Sequence, residues 1–248
     1  GCPSRRGRAS HPLMWVRLLD FLNRKGKSLA VRLRGGVHPK HLIPDGESHE
    51  WYLSHLKPDW LVLDVGCGAG GHAVRAIRRC RRVICVDRDQ TLIGLAPRGE
   101  PNLYFLCGDF VAKGLPDGPF DAVLCLDVIE HMDDRPGLLA EIRRVLKPGG
   151  LLFISAPNRE TTWRRRLRGA GLPSFSDPDH RVEYTRHEFV GELYAAGFAL
   201  ADAVRPTTLD TPWAGLQDAL GACWLPLYAW LHRRRREAVG QSTAESTG

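Results

Sequence analysis

The chain is expected to fold as an α/β three-layer sandwich, with helices on both faces of a mostly parallel sheet. Three observations carry that expectation. Short apolar runs recur along the middle of the chain, at Leu61–Val65, Val83–Val86, Leu103–Leu106 and Ala122–Leu126. Segments with helical spacing separate them, and such alternation with right-handed crossovers gives a parallel sheet. The first run breaks into Asp64-Val-Gly66-Cys67-Gly68-Ala-Gly70-Gly71, a strand ending on a glycine-rich turn that feeds a helix. Ligands of such folds sit at the carboxyl ends of the strands.

Three zones follow along the chain. Residues 1–55 read as an N-terminal extension and cover: a basic, polar start judged disordered, then an amphipathic helix over Leu13–Leu29 with Trp15, Leu18, Leu19 and Leu22 on one face. His38-Pro-Lys-His41 comes next, and residues 50–56 read as a helix leading into the first strand. Residues 56–205 hold the core. Its helices are expected at His72–Arg79, Thr91–Ala96, Pro136–Val145 and Glu188–Ala196. Lys147-Pro-Gly-Gly150 makes a turn into a fifth strand at Leu151–Ser155, and Phe198–Val204 reads as a further strand. Residues 206–248 form a C-terminal aromatic and basic segment with a tail judged disordered.

Glycines at 66, 68 and 70 let backbone approach a ligand closely, and the following helix points free N–H groups into the same space. Gly66-x-Gly68-x-x-Gly71 also satisfies the dinucleotide fingerprint, so the turn alone does not choose the ligand. The later acids do. Asp87, about twenty residues on, is placed to accept from both ribose hydroxyls. Asp109 closes a third run; a nicotinamide fold has no set use for it. A nucleoside ligand does, with Asp109 accepting from an adenine amino group while Phe110 covers a base face.

Taken together, Asp64-x-Gly66-x-Gly68-x-Gly70, Asp87, Gly108-Asp109, Phe120-Asp121 and Lys147-Pro-Gly-Gly150 resemble the class I S-adenosylmethionine-dependent methyltransferases in order and spacing, over roughly residues 60 to 200. The resemblance implies a Rossmann-like sandwich with a seven-stranded, mostly parallel sheet, one antiparallel edge strand and an N-terminal cover. It implies S-adenosylmethionine as cofactor, with Asp64, Gly66, Cys67, Gly68, Gly70, Asp87, Arg88, Asp109, Phe110, Leu126 and Asp127 around it. Many relatives carry Glu where Asp64 stands; the shorter carboxylate does the same work through a water.

The methyl acceptor needs a base if it is an oxygen nucleophile. Asp127-Val-Ile-Glu130-His131-Met leaves the fourth strand at the mouth of the expected cleft. His131 is the first choice for general base with Glu130 beside it, imidazole being the side chain that titrates nearest neutrality. The competing reading is that both only shape the loop. Asp127, Glu130, His131 and His180 also resemble the metal site of small-RNA 3′-terminal 2′-O-methyltransferases, which implies magnesium, although Asp127 stands where that family has Glu. Ubiquinone-type O-methyltransferases share the Glu-His pair, so it does not single out RNA. The insertion over Asn158–Tyr184, rich in arginine, is where an acceptor pocket is expected, with Arg164 among its lining.

The net charge of +7 and pI near 9.2 come in clusters such as Arg164–Arg168 and Arg233–Arg236. Nucleic acid, an anionic membrane surface and plain solvation compete as explanations. No cluster has interleaved aromatics of the kind that stack single strands, and no RNA-binding module is evident. Trp213–Leu231 has Asp218 as its only formal charge, but Gly215, Gln217 and Pro226 argue against spanning a bilayer. An interfacial segment fits better, with a buried lid or dimer helix as the competing reading. The seven cysteines form no CxxC pair, and Cys85, Cys107 and Cys125 are expected inside buried strands. That usage suits the cytoplasm, with peripheral attachment at the membrane's inner face open, and no signal peptide is read. The expected activity is O-methylation of a small or lipid-linked acceptor, glycan or quinone. The alternatives are RNA 2′-O-methylation and non-catalytic binding of S-adenosylmethionine.

Overall fold

A computed structural model describes residues 10–36, 39, 51–113, 118–175, 177, 179–202, 212–231 and 234. The basic start, His38 and His41, Arg233, Arg235 and Arg236, and the tail lie outside the described residues. The chain divides into two compact units. A sheet unit comprises Glu47–Asn158 and Asp177–Pro206; a helical unit comprises Gly1–Gly46, Arg159–Ser176 and Thr207–Gly248.

The sheet unit holds five parallel strands in the order β3-β2-β1-β4-β5. They are β1 Leu61–Val65, β2 Arg82–Asp87, β3 Leu103–Cys107, β4 Phe120–Leu126 and β5 Leu146–Ser155. β1 and β4, in the middle, are nearly continuous apolar runs because both their faces are covered. The helices are α2 Gly71–Ala76, α3 Gln90–Leu95, α4 Phe110–Lys113, α5 Arg135–Val145 and α7 Arg186–Ala195. One core layer joins Tyr52, Val62, Ala73, Leu124 and Phe153; the other joins Leu63, Val123, Leu139, Ile142 and Phe110. The expected helix near 50–56 is a short 3-10 turn, Trp51–Ser54, whose Trp51 ring meets Phe153 edge-on at 5.5 Å.

Several expectations shift. Lys147–Gly150 turns out of register within β5, so that Phe120 pairs with Leu146 and Ala122 with Leu151. Residues 198–202 carry no strand, and 203 and 204 lie outside the described residues. Among the described residues the sheet therefore has five strands, all parallel. Cys85 and Cys125 are buried, but Cys107 is exposed, because it ends the edge strand β3.

The helical unit contains α1 Ser10–Leu33, α6 Thr162–Gly169 and α8 Ala214–Cys223, with a further helical turn pair over 225–231. α1 packs on α8 and on α6. The crossing of α1 and α8 is close because glycines meet there. A Cβ on Gly26 would fall 2.2 Å from the Gly215 carbonyl oxygen, and one on Gly215 would fall 1.8 Å from that of Asn23. Arg24 bonds Asp20 at 2.9 Å and donates to the Pro173 carbonyl. Arg164, expected to line an acceptor pocket, is instead 4 % exposed, on the buried side of α6 with Trp163 and Leu167.

Candidate active site

The glycine turn is built as its sequence requires. Gly66, Gly68 and Gly70 all have positive φ, at 68°, 54° and 82°. Their surroundings differ. A Cβ on Gly66 would strike the Val128 side chain at 2.4 Å, and one on Gly70 would strike the Phe105 ring at 2.6 Å. At Gly68 the nearest atom would be Leu92 Cδ1 at 3.9 Å, so this glycine alone faces open space. Two of the three glycines serve packing, and Gly68 leaves room for a ligand against the backbone. The contact of Val128 with Gly66 brings the turn after β4 against the turn after β1.

The acids at the strand ends are already tied to backbone. Asp87 accepts from the Gly68 N–H at 2.7 Å and the Asp89 N–H at 2.8 Å, which fixes the glycine turn against the end of β2. Asp109 caps α4 by accepting from the N–H groups of Val111 and Ala112 at 3.0 Å each. Both keep acceptor lone pairs for a further donor. Asp64 is 2 % exposed, between Cys85 and Leu124 on the neighbouring strands. Leu126 is buried at the end of β4 and Arg88 is exposed just after β2. Phe110, expected over a base face, is 5 % exposed and belongs to the core layer with Val86 and Ile129.

Cys67 is buried in the turn. Its hydrogen bond with Cys85 acts to lower the thiol's pKa. Burial and the carboxylates of Asp64 and Asp87 outweigh this and raise it. The Cys85 thiol is pushed up by the same bond and by its own burial. Both therefore stay neutral and behave as small core residues.

The turn after β4 carries Asp127, Glu130 and His131. Asp127 is a non-glycine residue at φ 55°, held by Ser155 at the end of β5. Its N–H donates to Ser155 Oγ at 3.0 Å, and that hydroxyl donates back to Asp127 Oδ1 at 2.9 Å. A positive φ at such a residue costs free energy and is kept where surrounding structure demands it. Ile129–His131 then form a 3-10 turn with Glu130 fully buried. The Glu130 carbonyl accepts from the Arg181 N–H at 2.7 Å, which draws the 180–184 segment alongside. The His131 and His180 rings consequently meet edge-on, 4.7 Å apart. His180 Nδ1 bonds the buried Glu183 at 2.8 Å, and its Nε2 lies 3.9 Å from Glu130.

Ligand atoms of Glu130, His131 and His180 all lie within 4.8 Å of one another. Asp127, the fourth expected member, is not in this cluster, and its carboxylate is engaged by Ser155. The sequence reading missed Glu183, whose bond orients the His180 ring and leaves Nε2 toward the cluster. Its spacing, three residues after His180 in a polar stretch, was the one signal available.

Residues 63–154 match the family model described as a methyltransferase domain. A sterol 24-C-methyltransferase of Gibberella zeae is 33 % identical over 173 residues, 61 % of this chain and 43 % of that protein. A protein of Mycolicibacterium smegmatis named probable S-adenosylmethionine-dependent methyltransferase is 33 % identical over 152 residues, 61 % of this chain and 57 % of that protein. The chain spans about half the length of the curated relatives it matches. Among solved structures, a SAM-dependent methyltransferase from Archaeoglobus fulgidus has the same fold, with TM-score 0.51 and 22 % identity over 64 % of this chain and 69 % of that one. The 4+2 cyclase SpnF matches with TM-score 0.50 and 28 % identity, over 60 % and 54 %. The sheet unit thus carries a domain of the class I S-adenosylmethionine-dependent methyltransferases, with S-adenosylmethionine as the cofactor this family implies.

Proposed function

We propose that this protein O-methylates a small or lipid-linked acceptor, with His131 as general base. The observation that supports the reading is the seating of Val128 against Gly66, since Glu130 and His131 follow Val128 in the same turn. When bound, S-adenosylmethionine supplies a methyl group already activated on a sulfonium. The chain has to hold the acceptor in line, exclude water and take a proton. Gly68 offers the open backbone against which the cofactor fits, and Asp87 and Asp109 offer acceptors for its ribose and purine ends. His131, half-buried, takes the acceptor's proton at a ring nitrogen. Glu130 and His180, the latter held by Glu183, lie beside it. The sterol methyltransferases among the relatives support an apolar, lipid-borne acceptor rather than a free sugar.

Titration calorimetry with S-adenosylmethionine and its demethylated product tests the cofactor, and an acceptor screen with radiolabelled methyl donor tests the substrate. No heat with either cofactor form overturns the reading at its base. Methyl transfer to RNA alone overturns the acceptor class. Methyl transfer to nothing, with cofactor bound, favours the non-catalytic alternative, which the SpnF likeness keeps open because this fold does not fix the reaction.

A second reading is favoured by the clustering of Glu130, His131 and His180. Two imidazoles and one carboxylate suit a transition-metal ion. Magnesium prefers oxygen ligands, and the donor set does not fit it. Activity unchanged by a strong chelator overturns this second reading and leaves His131 as base.

A further inference from the structure

The helical unit hides the wrong side chains for a body surrounded by water. On α1 the buried positions are Asp20, Asn23 and Ala30, with Gly26 against Gly215. On α8 they are Gly215, Asp218, Gly221 and Ala222. Polar bonds run inside the unit: Asn23 Oδ1 accepts from the Gly215 N–H at 2.6 Å, and Tyr228 donates to Asp218 at 2.9 Å. Trp163, Leu167 and Tyr228 are buried, but most large apolar side chains of α1 and α8 point outward. Met14, Trp15 and Phe21 on α1 are each 56 % exposed, and Leu216 and Trp224 at α8 are 52 % and 60 % exposed. Of the 19 large apolar side chains exposed among the described residues, 14 belong to this unit. A seam of small and polar residues beneath an apolar exterior is how helices pack in lipid, and a patch of this kind on a soluble body marks a docking surface.

Charge says what docks there. Of the chain's 35 Lys and Arg, 19 lie in the helical unit, which has only 7 of the 28 Asp and Glu; the sheet unit has 16 against 21. Among the described residues of the helical unit, 12 are Lys or Arg and 3 are Asp or Glu, so positive charge accompanies the apolar surface. Cations sit beside the aromatics, with Lys25 5.7 Å from the Phe21 ring and Arg234 5.0 Å from that of Trp230. No described helix is long and apolar enough to cross a membrane. A second copy of so basic a face would be repelled. RNA would use the cations but gain nothing from exposed leucine and methionine.

We propose that the outward face of α1 and α8 docks onto a bilayer rich in anionic phospholipid, lying in its headgroup plane. Apolar side chains enter the acyl boundary, and Arg17, Lys25 and Arg32 meet lipid phosphates. This docking does not depend on which acceptor is methylated, nor on whether any is.

The test is flotation of the full chain with vesicles of phosphatidylcholine alone or mixed with phosphatidylglycerol. The wild type is expected to float with the mixed vesicles only. Leu18→Glu with Leu216→Glu, and separately Arg17→Glu with Arg32→Glu, are each expected to weaken partitioning by about tenfold or more. Far-ultraviolet circular dichroism and a thermal melt like those of the wild type report that both variants remain folded. Absence of flotation, or equal flotation of wild type and leucine variant, overturns the proposal. So does tight binding of short RNA that the arginine variant alone abolishes, or a dimer in light scattering that the leucine variant dissolves without any vesicle binding.

Discussion

In the sheet unit, Leu63, Val83, Leu124 and Ile142 are sealed from water, and the acids stand at strand ends where ligands are held. In the helical unit, Asn23 and Asp218 are sealed and Trp15, Leu216 and Trp224 face out. Apolar burial accounts for the first arrangement without help. The second combines close backbone approach, a few polar bonds and the burial of Trp163, Leu167 and Tyr228, while many of its large apolar side chains stay half exposed. One chain therefore contains a body organised by its own core and another whose outer face fits an apolar surrounding.

Four substitutions sharpen or break this contrast. His131→Ala addresses the sheet unit's chemistry and has the largest expected effect, a loss of about 10²–10⁴ in turnover, as for removal of a general base. Steady-state assays with the identified acceptor measure it, and cofactor binding should be unchanged. Leu124→Ala, in the sheet core, is expected to cost about 2–5 kcal/mol in denaturant unfolding. A loss below 1 kcal/mol, on the order of a surface change, would mean that the sheet unit is not the self-sufficient body described.

Gly26→Val overfills the α1–α8 crossing and should cost about 1–3 kcal/mol. Hydrogen exchange is expected to quicken in α1 and α8 but not in α5, because the two units have separate cores. The smallest stability effect concerns Asp121, which joins the start of β1 to the turn in β5. It accepts from the Leu61 N–H at 2.8 Å and from Lys147 at 2.5 Å. Slight burial acts to raise its pKa, but the Lys147 and Leu61 hydrogen bonds and the lysine's charge outweigh that and hold it below the usual carboxylate range. A depressed folded pKa gives stability that is present above the unfolded value, about 3.9. That stability disappears as pH falls through the folded pKa. Asp121→Asn should therefore cost less than about 1 kcal/mol at neutral pH, the pair being partly solvated. Urea melts in acid should bring variant and wild type together; a gap that persists there would remove the ion pair as its cause.

The glycine turn was legible because backbone geometry at Gly66 and Gly68 admits few other residues. β1 was legible to its ends because Leu61–Val65 is an apolar run closed by a glycine. The sandwich of strands and helices follows from the same alternation. α1 shows where legibility stops. Its spacing put Trp15, Leu18, Leu19 and Leu22 on one face, yet nothing in that spacing says which residues a neighbour covers. The structure buries Asp20, Asn23 and Ala30 and brings Gly26 against Gly215, 189 positions away, while Trp15, Leu18 and Leu22 stay exposed. The same holds for the site. Glu130 and His131 were readable as a pair, whereas their meeting with His180 and Glu183 depends on a backbone bond between Glu130 and Arg181. Local sequence determined what each segment is, since period and turn chemistry act over a few residues. Tertiary structure decided which distant segments meet and which faces stay bare, because contacts between remote residues leave no periodic trace in the chain.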